Sequence, residues 1–425
     1  MRPLRLLKRA VLSVLAGVVL LIVVAVVIGE LNKKSITVPG CTAEHWVGTW
    51  AADPSDALDG GLVDQTVRLV LTPHLGGHQL RIHLSNRFST KPVTIGRASI
   101  GLGQTGASLV AGSNHEITFG GQGSVTLPAG GDAVSDPVSL DFKSFEKLDV
   151  SLYTAETTGP STEHLDGQQT SYATPPKTGD HTNDDAGGAF SIPTTERYYL
   201  DGIDVQALGS VGAVVALGDS ITDGEGGPPD RDDRYPDALA RRLLGAPGAT
   251  ELTTLDAGIS GNEILTDAQA SGAGQSALTR LNTDVIDEAG ASDVIVLEGI
   301  NDIGAGKASA DQIIAGLEQI VTRVHAAGMQ VLLGTLTPVA GIRTAGYATS
   351  EAEATRLAVN RFIRGPNGAD GYVDFDRAIR DPTDPSRLNP AFDSGDHIHP
   401  NTAGRKAMAD AVDLGSLRAP RCKAS

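Results

Sequence analysis

The sequence predicts an α/β domain built on a parallel sheet, preceded by an all-β region of sandwich or jelly-roll type. Three observations point there. Apolar and polar residues alternate with period two from about Asp64 to Leu208. From Val211 short apolar runs alternate with helical stretches. Four polar motifs then fall at the predicted carboxyl ends of strands, where open α/β sheets keep their chemistry.

In the first region Val67, Leu69 and Leu71 alternate with Arg68 and Thr72. Leu80, Ile82 and Leu84 alternate with Arg81, His83 and Ser85, and Leu148, Val150 and Leu152 with Asp149, Ser151 and Tyr153. Such alternation predicts antiparallel strands with one buried and one wet face. Gly76-Gly77, Gly120-Gly121 and Gly130-Gly131 supply the turns. The polar stretch from Thr157 to Gly188 reads as a long surface loop. Trp46 and Trp50, in the strand-like Trp46–Ala52 run, are the only tryptophans and read as core residues. With no tryptophan between 64 and 208, a wall beside the active site is favoured for that region over a dedicated polymer-binding role.

In the second region the runs Val214–Leu217, Leu252–Asp256, Asp293–Leu297, Gln330–Gly334 and Gly371–Asp374 read as strands. Arg234–Leu244, Ala310–Ala327, Glu351–Ile363 and Thr402–Val412 read as helices. In the second of these, Ile313, Ile314, Leu317, Ile320, Val321 and Val324 share one face.

The amino terminus stands apart. Arg2, Arg5, Lys8 and Arg9 precede an uncharged run from Ala10 to Ile28. At about 1.5 Å per residue that run reaches about 28 Å, close to a bilayer core. Its basic flank predicts a cytoplasmic end and an exported body. An uncleaved anchor is favoured over a cleaved signal, for which Val27-Ile28-Gly29 is a poor site. The expected organisation is a basic segment at 1–9, an anchor at 10–29, a tether and first strand at 30–63, the β domain at 64–208, the α/β domain at 209–415 and a tail at 416–425. The 425 residues carry a formal charge of −17. Residues 1–34 hold six of the 34 basic groups and one of the 51 acidic ones, which leaves the remainder at −22. So acidic a body argues against a nucleic-acid partner and reads most simply as solubility. The expected partner of residues 10–29 is the membrane; composition does not give the oligomeric state. Cys41 and Cys422 flank the exported body and form a candidate disulfide, two unrelated thiols being the alternative.

The four motifs are Gly218-Asp219-Ser220, Gly258-Ile259-Ser260-Gly261-Asn262, Glu298-Gly299-Ile300-Asn301-Asp302 and Asp396-His397-Ile398-His399-Pro400. Together they offer what acyl transfer needs. Ser220 is a nucleophile, His399 a base that titrates near neutrality, and Asp396 a carboxylate to orient that base. The Asn301 amide and the backbone N–H groups of Gly261 and Ser220 are donors for an oxyanion. With Asp393, the last motif also admits a metal reading, which lacks a third ligand cluster. Asp230-Arg231-Asp232-Asp233 reads as a solvated loop, substrate or cation contact being the alternative. Thr222 and Asp223 are expected to shape the turn after Ser220.

These blocks resemble the SGNH branch of the GDSL esterase/lipase family. The likeness extends through Arg234-Tyr235-Pro236-Asp237, Gly334-Thr335-Leu336-Thr337-Pro338 and Pro400-Asn401-Thr402-Ala403-Gly404, from Val211 to Leu414. It resembles in particular secreted actinobacterial-type esterases of the xylan acetyl esterase-like branch, which also carry a Trp-x-x-Thr-Trp-Ala-type start and an inserted β region. Ser220-Ile221 stands where that family has Ser-Leu. The resemblance implies a flavodoxin-like three-layer α/β/α domain, no metal and no organic cofactor. It implies catalytic Ser220, Asp396 and His399, with oxyanion donors at Ser220, Gly261 and Asn301. The expected activity is hydrolysis of short acyl esters, acetyl on a polysaccharide being favoured. A longer-chain lipase is the alternative within enzymes, and a non-catalytic polysaccharide-binding protein the alternative outside them.

Overall fold

The structure is a computed structural model that describes residues 43–58, 60–246, 252–268 and 271–418. The expected anchor, Cys41 and Cys422 lie outside these residues. Among the described residues no helix is long and apolar enough to cross a membrane.

The second region is an α/β domain. Its strands are β1 (Gly212–Gly218), β2 (Leu252–Gly258), β3 (Ala291–Leu297), β4 (Gln330–Gly334) and β5 (Gly371–Val373). They pair in the order β2-β1-β3-β4-β5, and every pair is parallel. The order reverses at β1, so the right-handed crossovers on its two sides cover opposite faces of the sheet. β1 and β2 are buried along their whole length, as the continuous apolar run in β1 requires. The helices are α1 (Ser220–Asp223), α2 (Tyr235–Gly245), α3 (Ala277–Leu281), α4 (Ile300–Gly304), α5 (Ala310–Ala326), α6 (Ser350–Arg364), α7 (Phe375–Ile379) and α8 (Thr402–Ala411). In α5 the predicted stripe is the buried one, except that Ile314 is half-buried. Ser309 caps α5 by accepting from the Gln312 N–H, and Asn401 caps α8 by accepting from Ala403 and Gly404.

The first region is antiparallel. One sheet runs in the order 44–51, 200–208, 77–85, 138–142, and a second in the order 192–194, 171–173, 65–71, 148–154, 97–102, 115–117. Leu80, Ile82, Val205 and Ile203 from the first sheet share one core with Val67, Leu69, Val150 and Leu152 from the second, which makes a sandwich.

Four details differ from the sequence reading. Residues 157–188 are not a surface loop: they contain strands Ser161–His164 and Ser171–Ala173, and Ser161, Thr162, Glu163 and His164 are all buried. No apolar period marks them, because their polar side chains find partners inside the protein. The expected wet face of strands 65–71 and 148–154 is also covered. Arg68 and Ser151 are fully buried, and the Arg68 guanidinium donates to Ser151 Oγ (2.8 Å), Ala107 O (2.7 Å) and Asp184 O (2.7 Å). Strand Glu44–Ala51 pairs antiparallel with 200–208, so both tryptophans belong to the β sandwich. Trp50 lies in its core, whereas Trp46 is half-buried under the Arg81 guanidinium, 4.6 Å from the ring centroid. Finally, Asp230–Asp233 is not a freely solvated loop. Asp230 accepts from Thr170 N (2.7 Å) and Oγ1 (2.8 Å), Asp232 from Thr72 Oγ1 (3.2 Å), and Asp233 from Arg405 (2.7 Å). These acids fasten the β sandwich and α8 to the loop after α1.

Candidate active site

β1 ends at Gly218 because only a residue without a side chain fits there. An added Cβ would stand 2.1 Å from Thr222 Oγ1 and 2.7 Å from Leu297 O. Asp219 caps α1, its carboxylate accepting from the Ile221 N–H at 2.9 Å. Ser220 thus lies just past the carboxyl end of β1, the place the sequence predicts, and starts a one-turn helix where a turn was expected. Burial pushes the Asp219 carboxyl up to about 7, against the Ile221 hydrogen bond and the His399 charge.

The loop before α8 faces this serine. His399 Nε2 lies 2.8 Å from Ser220 Oγ, and His399 Nδ1 lies 2.6 Å from Asp396 Oδ2. Asp396 Oδ1 accepts the backbone N–H groups of Ile398 (3.0 Å) and His399 (2.9 Å). One carboxylate therefore fixes both the turn and the ring. Burial works against the Asp396 charge, but the bonds from the His399 ring and backbone outweigh it and hold the carboxyl well below the usual range. Burial likewise works against an imidazolium at 399. The Asp396 bond and the charges of Glu225, Asp396 and Asp219 outweigh it and raise the ring above its ordinary value. Glu225 Oε2 stands 3.5 Å from His399 Nε2.

On the other side stand Gly261 and Asn301. Gly261 holds φ +80, a backbone region that favours glycine. Asn301, in α4 beyond the end of β3, approaches the Asn262 carbonyl at 2.9 Å and the Tyr347 hydroxyl at 2.7 Å. A carbonyl only accepts, so the amide atom facing it is Nδ2, and Tyr347 donates to Oδ1. That network fixes the amide orientation. Burial, with nearby carboxylates, pushes the Tyr347 hydroxyl up to about 12, so it remains a donor. Asp302 ties the two loops together by accepting from Ile264 N (2.8 Å) and Leu265 N (3.1 Å).

All five expected residues line one cleft of about 590 Å³, joined there by Glu225, Arg343, Tyr347 and His397. The sequence reading missed several residues that support it. Arg280, fully buried, donates to Gly218 O (3.0 Å), Ala257 O (2.9 Å) and Asn262 Oδ1 (3.0 Å), bracing the ends of β1 and β2. His164 comes from the first region, where strand Ser161–His164 pairs with 56–58 and 197–198 in a separate three-stranded sheet. Its Nδ1 lies 2.8 Å from Asp53 O and its Nε2 3.2 Å from Asp223 Oδ1. Burial works against a charge on this ring, but the Asp223 carboxylate and the Asp53 carbonyl outweigh it and raise the ring above its ordinary value. Asp223 in turn accepts from Ser260 N (3.2 Å) and Oγ (3.1 Å), which anchors the loop bearing Gly261. No local pattern marks His164, Arg280 or Tyr347, because their partners are distant in the chain. Among the described residues no cluster of three or more His, Cys, Asp or Glu side chains is arranged to hold a metal ion.

Residues 216–407 match the GDSL-like Lipase/Acylhydrolase family. No curated protein matches the chain significantly. Among solved structures it is similar to the native aryl esterase of M. Smegmatis, with 20% identity and a TM-score of 0.38 over 47% of this chain and 96% of that one. It is also similar to Est24, a carbohydrate acetylesterase from Sinorhizobium meliloti, with 17% identity and a TM-score of 0.38 over 47% of this chain and 95% of that one.

Proposed function

We propose that the chain is a serine ester hydrolase built on residues 216–407, the segment that matches the GDSL-like Lipase/Acylhydrolase family, and that Ser220, His399 and Asp396 cleave short acyl esters through an acyl-enzyme. The observation that supports this most is the continuous hydrogen-bonded chain from Ser220 Oγ through the His399 ring to Asp396, opening on the cleft.

In this reading His399 Nε2 takes the Ser220 proton as Oγ attacks the ester carbonyl. Asp396 stabilises the imidazolium that forms. The backbone N–H groups of Ser220 and Gly261 and the remaining Asn301 Nδ2 hydrogen hold the oxyanion. The carbon–oxygen bond to the alcohol then breaks, and His399 returns the proton to the departing oxygen. Water repeats the sequence on the acyl-enzyme and frees the acid. Glu225, Arg343, Thr344 and Asp396 set charged and polar groups into a cleft that Ile342 and Ile398 also line, which supports a short acyl group and a polar alcohol, such as an acetylated polysaccharide. The basic flank and apolar run at the amino terminus support a body held outside the plasma membrane.

The test is a panel of p-nitrophenyl esters from acetyl to palmitoyl, with acetylated xylan, on the full chain. Highest kcat/KM at acetyl and release of acetate from xylan are expected. A maximum at long chains overturns the short-acyl reading.

A further inference from the structure

Two residues before His399 the same loop carries a second histidine–carboxylate pair. His397 Nδ1 lies 2.6 Å from Asp393 Oδ2, and Asp393 Oδ1 accepts the backbone N–H groups of His397 (3.0 Å) and Gly395 (2.8 Å). The arrangement repeats what Asp396 does for His399. His397 holds φ +71, the left-handed region that side chains other than glycine adopt at a cost. Its imidazole lines the cleft beside Ser220, with 44% of the side chain exposed. In the neutral ring that donates Nδ1–H to the carboxylate, Nε2 presents a lone pair, and nothing among the described residues bonds to it.

The leaving oxygen of an ester on Ser220 must face His399 Nε2, since that nitrogen returns its proton. The loop 393–399 therefore flanks the alcohol half, opposite Gly261 and Asn301. We infer that His397 is a specificity-determining residue that accepts a hydrogen bond from a free hydroxyl on the alcohol half of the ester. The substrate class is an acyl ester of a polyol, with a hydroxyl near the esterified one. Asp393 fixes the ring's tautomer and angle, as a rigid acceptor requires. The inference rests on the acyl-enzyme reading above.

Ethyl acetate and 2-hydroxyethyl acetate share one acyl group and differ by one hydroxyl. The wild type should prefer the hydroxylated ester, and His397→Gly should reduce the ratio of the two kcat/KM values about fivefold, the scale of one hydrogen bond. Glycine tolerates φ +71, and thermal unfolding reports on the folded state of the variant. An unchanged ratio overturns the inference, whether both esters slow together, as for a structural prop, or neither does. No preference in the wild type overturns it as well. If neither ester is cleaved, or cleavage survives Ser220→Ala, the acyl-enzyme reading fails and this inference with it.

Discussion

Ser220 Oγ and His399 Nε2 are in hydrogen-bond contact across a separation of 179 residues. Only the serine's position beyond β1 and the turn fixed by Asp396 bring them together. Ser220→Ala should lower p-nitrophenyl acetate hydrolysis by at least about 10³-fold. Its thermal unfolding should match the wild type, since the substitution removes one hydroxyl. Retained activity would remove Ser220 from the mechanism.

Asn301 and Tyr347 act as a unit. Asn301→Ala should lower kcat by about 10²–10³-fold with little change in KM, as the loss of an oxyanion donor does. Tyr347→Phe removes a hydrogen bond of about 0.5–1.5 kcal/mol that orients that donor, so kcat should fall about threefold to tenfold. In the double variant the two losses should not add, because Tyr347 has no amide left to orient. Full additivity would mean that Tyr347 acts elsewhere.

His399 accepts a proton only when neutral. Its pKa is raised, so activity should fall as the pH drops through a value above the ordinary histidine range of about 6.5. Glu225 is one of the charges that raise it. Glu225→Gln should therefore move the acid limb of kcat/KM to lower pH. A limb that does not move would show that Glu225 leaves the base unaffected.

His164 and Asp223 couple the first region to the loops of the site. His164→Leu leaves the buried Asp223 carboxylate without its histidine partner and should destabilise the protein by about 1–3 kcal/mol. Activity should fall as well, since Asp223 anchors Ser260 beside Gly261. Calorimetry and p-nitrophenyl acetate kinetics on the same variant check both. A variant as stable as the wild type would show that the two regions are joined by other contacts.

The α/β half was readable because its signals are local. The apolar run of β1, the stripe of α5 and the motifs around Ser220, Gly261, Asn301 and His399 each report one element. The β half was readable only in part. Strand 77–85 alternates as expected, but strand 65–71 is buried on both faces. Arg68 looked like a water-facing residue, and Thr157–Gly188 looked like a loop. Each misled for the same reason: the polar segment covers the polar face, and their hydrogen bonds replace water.

By itself the sequence determined which residue types are available for ester chemistry and that they follow strands of one parallel sheet. Short-range periodicity and turn chemistry encode that much. The tertiary structure alone decided the orientation of the Asn301 amide, the placing of Glu225 against His399, and the contact of His164 with Asp223. These depend on side chains brought within about 3 Å from separate loops, and no pattern within a single stretch of chain records such a meeting.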